Sequence, residues 1–455
     1  MPPEQNLVSG QDGEHGSLLV LAVLALIVGA ISGLIGAMFR ISLERADQLR
    51  DALITWAHGE RIVGFFFAIF LCAVATALAA WLVRRYSPYA SGSGIPHVEA
   101  VVSGELPPAP FRLIPVKFAG GLLAIGAGLA LGREGPSVQM GASLAHLVGT
   151  IFRRGWPDCR VLVAAGAGAG LATAFNAPIA GAVFVLEELV QRFEHRIAIA
   201  ALAASATAIA VARVLLGDTP DFHVNALGYG DAGTRPLYFV VGGFAGLLAI
   251  AYNRVLLAAI GGADRLSRLP PVLRAAVIGA AVGALAWFAS DLVGGGDAIT
   301  QSVLAGATPL AAVPAAFLLR FVLGAVSYAA ATPGGLFAPL LVLGAQFGLL
   351  SGGVCKALLP NLDVHPEAFA VVGMAALFTG VVRAPVTGIV LVTEMTASVT
   401  MLLPMLSACC VAMLVPTLLS DPPIYESLRK RTLRMDAAPL SARAARRDRQ
   451  AASGD

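Results

Sequence analysis

The chain reads as an all-α protein that crosses a lipid bilayer many times, built as two inverted-topology halves of tilted and discontinuous helices. Three observations predict this. Hydrophobic residues make up 57% of the 455 and charged residues 13%, whereas soluble domains carry roughly 25% charge. Too few charges remain to coat a water-facing surface, so most of the outer face must meet lipid. The 50 Gly and 27 Pro fall inside apolar stretches, where membrane helices tolerate them because neighbouring helices satisfy the backbone. Finally, the segment Gly166–Glu187 recurs 207 residues later as Gly373–Glu394 without a gap. Duplicated halves, often inverted, are a common transporter architecture.

Apolar spans run in order at about 17–39, 62–83, 115–131, 161–186, 197–216, 237–260, 273–293, 311–331, 336–352, 367–382, 385–403 and 403–419. Several fall short of the ~20 residues that cross a bilayer upright. Short segments interrupted by Gly and Pro are the pattern of broken helices that meet in mid-membrane around a site. The division expected is a tail over 1–16, a first membrane half over 17–216, a second over 237–428 and a basic tail over 429–455. That last stretch holds eight Lys or Arg against three Asp. With Arg84–Arg85 after the second span, it places both termini in the cytoplasm by the positive-inside rule. Arg40, Arg45, Arg50 and Arg61 then fall on the opposite face. Ile41, Leu49 and Leu53 space as one stripe, which suggests that these arginines ride on an amphipathic continuation of the first helix.

Composition excludes several functions. A net charge of +3 with no basic stripe and interleaved aromatics leaves no nucleic-acid partner. The five cysteines are odd in number and form no CxxC pair, and the seven histidines form no HExxH. Neither a disulfide framework nor a metal site is indicated, and no cofactor. No cleavable signal peptide is expected, because residues 1–39 hold no Lys or Arg to make its basic region.

Within the repeat, Pro178/Pro385, Gly181/Gly388 and Glu187/Glu394 stay in register, as does Ala177/Ala384. Four further Gly/Pro breaks stand out: Gly92-Ser-Gly-Ile-Pro96, Gly132-Arg-Glu-Gly-Pro136, Gly334-Gly-Leu-Phe-Ala-Pro339 and Asp421-Pro-Pro-Ile-Tyr425. In the first three, glycines are followed by a proline suited to a helix start. A helix N-terminus carries about half a positive charge and unpaired N–H donors, a ready site for an anion. Such partial charges hold a halide loosely enough to release it. One such corner alone is as easily an ordinary helix break; three together are not.

These three motifs, in this order and spacing, resemble the signatures of the CLC chloride channel and transporter family. The likeness continues through Asn176-Ala-Pro178, the pair Glu187–Glu188 and Tyr425, and so covers about 17–428. It implies a homodimer in the inner (plasma) membrane with one anion pathway per subunit, in the manner of prokaryotic members without cytoplasmic regulatory domains. It implies that Ser93 and Tyr425 donate hydroxyl hydrogen bonds to chloride, and that the backbone N–H groups of Leu336 and Phe337 complete the site. Ser93 points to chloride, where nitrate-preferring relatives carry proline. Read without the resemblance, Ser93 is a helix cap and Tyr425 an aromatic at the membrane interface.

Glu134 matches the gating glutamate. A carboxylate in a site built for anions competes with chloride for the same donors, and protonation lets the side chain swing away. A plain ion pair with Arg133 is the alternative, although carboxylates inside a membrane are costly and usually functional. Glu187 and Glu188 arrive together after 26 uncharged residues, Val161 to Leu186. A helix end reaching water, with Arg192 pairing at i, i+4, accounts for Glu187 and could account for Glu188. Yet the repeat partner of Glu188 is Met395, so the duplication alone did not require an acid there. In the family this position is the internal proton glutamate of exchangers. His97, where an acid is frequent, reads as a solvated loop residue or a pH modulator. The reading is a chloride/proton antiporter, with a passive chloride channel as the alternative. An enzyme is not expected, since Ser93 has only His97 nearby and no triad or oxyanion arrangement.

Overall fold

A computed structural model describes residues 5–224, 232–266 and 268–434, and they are helical throughout, with loops and two isolated β-bridges. The first half comprises α1 (Gln5–Gly59), α2 (Arg61–Tyr86), α3 (Ile95–Val102), α4 (Leu113–Gly126), α5 (Glu134–Ile151), α6 (Trp156–Phe175), α7 (Pro178–Phe184) and α8 (His195–Leu216). The second comprises α9 (Arg235–Arg265), α10 (Pro271–Phe288), α11 (Asp297–Leu304), α12 (Val313–Ala329), α13 (Phe337–Leu358), α14 (Pro366–Val382), α15 (Pro385–Thr396) and α16 (Leu402–Leu418). A last helix, α17, covers 424–434. Eight of these helices are long and apolar enough to cross a membrane. The basic tail beyond 434 lies outside the described residues.

Several boundaries differ from the hydropathy spans, each for a physical reason. α1 reaches back to Gln5, into the segment expected as a tail, and runs on to Gly59, so Arg40, Arg45 and Arg50 do ride on its continuation, whereas Arg61 does not and instead begins α2. The run 161–186 breaks at Asn176, whose φ of +49° ends α6 before Pro178 opens α7. The run 385–403 ends early at Ala397, again left-handed. α5 matches no span because Gln139, Ser143 and His146 interrupt its apolar pattern. It is wrapped by protein, with most of its length buried, and a helix that never meets lipid needs no apolar exterior.

The repeat is structural. α5 packs on α6 as α13 packs on α14, and in both pairs glycines permit the closest approach. A Cβ on Gly141 would lie 2.2 Å from the Gly166 carbonyl, and one on Gly344 2.6 Å from the Gly373 carbonyl. The halves run in opposite senses. The end of α6 reaches Thr219 through Asn176, beside Arg40, whereas the end of α14 reaches the Asp421 carbonyl through Arg383. These two landmarks lie on opposite faces of the molecule. α6 and α14 are nearly wholly buried; large apolar side chains such as Phe70, Phe244 and Val277 on α2, α9 and α10 are exposed, as a lipid-facing shell requires.

Candidate anion site and its two glutamates

The three glycine corners converge. Gly92 N–H donates to the Thr332 carbonyl at 3.0 Å and the Gly92 carbonyl accepts from Gly334 N–H at 3.1 Å. Gly132 and Gly335 exchange both hydrogen bonds, at 2.9 and 2.7 Å. Four backbone bonds thus stitch three loops, and each loop opens a helix: α3, α5 and α13. Gly94 takes φ +87°, a conformation that favours glycine, and a Cβ there would collide with Gln139. The helix starts aim at one buried point, which the dipoles make positive without any formal charge.

Glu134 is the first residue of α5 and is fully buried. Its Oε1 accepts the Phe337 N–H at 2.6 Å, at the start of α13. The N–H groups of Ala338 and of Glu134 itself also face the carboxylate. Arg133 makes no pair with it. The Arg133 side chain turns the other way, to Asp297 at 2.9 Å, to Asp221 and to the Ala174 carbonyl. Hence a carboxylate occupies the end of a helix built to attract an anion.

Ser93 and Tyr425 are both fully buried, and Tyr425 is no interfacial aromatic. Their hydroxyls face each other, and neither has a well-formed hydrogen bond to the described residues. Two donors with free hydrogens next to α13 suit an anion better than a cation. Leu336 caps α13 and Phe337 begins it. The Phe337 ring packs on Phe378 (4.6 Å between centroids), Phe184 (5.7 Å) and Tyr425 (5.8 Å). That aromatic wall fixes the backbone whose N–H groups point at the site.

Glu188 lies in a π turn, Val185–Leu189, that continues α7, and it is buried. The expected pairing with Arg192 does not form among the described residues, because the chain leaves the helix at Val190. Tyr425 lies within electrostatic reach of both Glu134 and Glu188. Glu187 is not a solvated helix end either. Its carboxylate accepts from the N–H groups of Val386 (3.0 Å) and Thr387 (2.6 Å) at the start of α15. Glu394 does the same for Ile179 (3.1 Å) and Ala180 (2.8 Å) at the start of α7.

A family model described as voltage gated chloride channel matches residues 75–417, three quarters of the sequence. The chain belongs to the voltage-gated chloride channel (CLC) family. Among curated relatives of this CLC chain, the "H(+)/Cl(-) exchange transporter ClcA" of Vibrio parahaemolyticus serotype O3:K6 is 36% identical over 425 residues, covering 91% of this chain and 90% of its own length. A protein of the same name from Vibrio cholerae serotype O1 (strain ATCC 39541) is 35% identical over 417 residues, covering 90% and 89%. A solved structure of a slow cyanobacterial Cl-/H+ antiporter superposes with a TM-score of 0.86 at 31% identity, covering 91% of this chain and 98% of that one.

The CLC chain also uses residues that its motifs do not announce. Lys117 of α4 is fully buried and donates to the carbonyls of Gly92 (2.7 Å) and Ala90 (3.0 Å); it fastens the Ser93 corner by these two hydrogen bonds. The Tyr328 hydroxyl accepts the Ser93 N–H at 3.3 Å. Arg320, buried as well, clasps the carbonyls of Leu292, Gly294 and Gly295, next to the Asp297 that holds Arg133. A lone Lys in an apolar run signals only a cost to be met; which carbonyls meet it depends on the fold. His97 is no solvated loop residue: it sits buried in α3, its ring 4.5 Å from that of Tyr89.

Proposed function

We propose that this protein is a chloride/proton antiporter in which Glu134 and chloride take turns at the same donors. The observation that carries the reading is the seat of the Glu134 carboxylate on the Phe337 N–H, at the head of a buried helix and beside two free hydroxyls. Ser93, Tyr425 and the N–H groups of Leu336 and Phe337 bind chloride once the acid withdraws, and protonation is what lets it withdraw. Neutral donors suit an ion that must leave again. Glu188, buried on the other side of Tyr425, takes the proton from the opposite face. The relatives named as H(+)/Cl(-) exchange transporters support exchange over passive conduction.

The same reading makes the protein a homodimer in the inner membrane. Supporting it is a contiguous apolar face on α7, α8, α15 and α16, where Ile179, Leu202, Val386 and Leu406 are each more than half exposed. The test is the purified protein in liposomes under a chloride gradient. Chloride flow should drive protons uphill and reverse with the gradient, and Glu188→Gln should stop the protons while chloride still crosses. Chloride flux without proton movement in the wild type would make the protein a channel.

A further inference from the structure

Helix α17 serves two sites. It begins beside Tyr425 at the anion site, and one turn later Arg429 leaves it toward a buried acid on α3. Arg429 Nη1 lies 3.0 Å from Glu99 Oε1, and its Nε lies 3.8 Å from Glu105 Oε2. Side-chain exposure falls from 39% at Glu105 through 22% at Arg429 to 3% at Glu99, so the trio leads from solvent into the protein. Beyond it is Glu188, whose charged neighbours are Glu99, Glu187, Arg429 and Glu426. α3 packs directly on the π turn that carries Glu188.

The other charges around this cluster are committed elsewhere. Glu187 caps α15, and Glu426 pairs with Lys430 at 2.5 Å. Arg160 of α6 turns to the Val102 carbonyl and Glu194, while His97 and His146 of α5 line a separate small cleft. Arg429 is the cation that acts on both Glu99 and Glu188. Nor is the pair needed to dock the helix. α17 is already tied by Arg431 to Asp264, and its approach is held at Asp421 by Arg254 and Arg383.

Glu99 holds the guanidinium directly and Glu188 lies only within its field, so the two buried carboxylates carry surplus negative charge, which is costly unless a proton joins them. With the proton absent, both acids draw on Arg429; with it present, the hold slackens. Residues four apart on one helical turn move together. We propose that Arg429 is a positioning residue for exchange, which passes the protonation state of the Glu99–Glu188 pair to Tyr425 and hence to the anion site. This rests on the exchange reading above and adds a mechanical link between its two ions.

The experiment compares wild type with Arg429→Gln, Arg429→Lys, Glu99→Gln and the Arg429→Gln/Glu99→Gln double variant in liposomes, recording chloride and proton fluxes separately. Arg429→Gln and Glu99→Gln should each cut the protons moved per chloride by about five-fold, the lower end of coupling between sites. Arg429→Lys should keep the wild-type ratio, and the double variant should be no worse than either single one, since the pair acts as a unit. An unchanged ratio in Arg429→Gln, or equal loss of both fluxes, overturns the proposal. Should Arg429→Gln fail to fold, Glu99→Gln and Arg429→Lys decide by the same criteria. A wild type that moves no protons sinks the exchange reading itself, whereas an exchanging wild type with unaltered variants sinks only the link.

Discussion

Glu134 is held in its seat by what surrounds it as much as by its hydrogen bonds, and two glycines show this at the scale of single atoms. A Cβ on Gly132 would stand 2.0 Å from Glu134 Oε2 and 2.4 Å from Oε1. The three atoms nearest to it all belong to the end of that one side chain, and the backbone there needs no left-handed φ. Gly132→Ala is therefore expected to fold normally and to evict the carboxylate, giving a chloride flux that is faster and less sensitive to pH than wild type. Gly335→Ala differs, because its Cβ would also come within 2.8 Å of the Gly135 backbone nitrogen; that change should show as poor expression. Tyr425→Phe removes one donor and keeps the ring on Phe337. Chloride affinity, read by calorimetry, is expected to fall by about ten-fold, the worth of one hydrogen bond of roughly 1 to 1.5 kcal/mol. The glycines, Glu134 and Tyr425 stand in recognisable strings and were legible in the sequence. Lys117 and Arg429 were not, because a basic residue does not announce which distant carbonyl or acid it will meet.

Among the elements, the short helices α7 and α15 form a reciprocal pair. Each opens after an Ala-Pro corner and exposes N–H groups that its own half leaves unsatisfied. The glutamate at the far end of the other one supplies the acceptor, with Thr387 Oγ1 adding a third bond to Glu187 at 2.7 Å. Such carboxylate caps combine a hydrogen bond with the helix dipole. Glu187→Ala and Glu394→Ala should each cost about 1 to 2 kcal/mol of stability, seen as a lowered thermal midpoint in detergent. Glu394→Gln keeps an acceptor and should lose less. The register of the two glutamates was readable from the repeat, including the asymmetry of Glu188 against Met395. Their exchange of caps was not, since each half in isolation shows only an acid at a helix end, and water is the nearest partner a sequence can offer. α5 matches no hydropathy span for a different reason: Gln139, Ser143 and His146 interrupt its apolar pattern, which a helix packed largely against protein tolerates.

Across the whole molecule, charge separates by face in a way the linear sequence obscured. One face gathers Arg40, Arg50 and Arg133 with Glu44, Asp47, Asp51, Asp221, Asp291 and Asp297 around a cavity of about 380 Å³. There Arg40 and Arg133 are paired with Asp221, and Arg50 with Asp47 and Asp51, so acids outnumber the arginines that had seemed to violate the positive-inside rule. The opposite face carries Arg154, Arg196, Arg254, Arg429, Lys430 and Arg431, with Asp158, Asp264, Asp421, Glu426, Glu99 and Glu105 as their partners. Lys and Arg in short loops, rather than net charge, set orientation, and by that rule this second face is expected to be the cytoplasmic one. The ion pairs Arg196–Asp158 and Arg431–Asp264 keep the loops on that face even though they are far apart in sequence. Single cysteines introduced at Asp291 or Asp363 should accordingly react in intact cells with a maleimide that cannot cross membranes. Cysteines at Lys430 or Arg153 should react only after the cells are opened. Labelling in the reverse order would turn the molecule over, and would assign Glu134 to the cytoplasmic entrance and the Glu99–Arg429–Glu188 cluster to the outside.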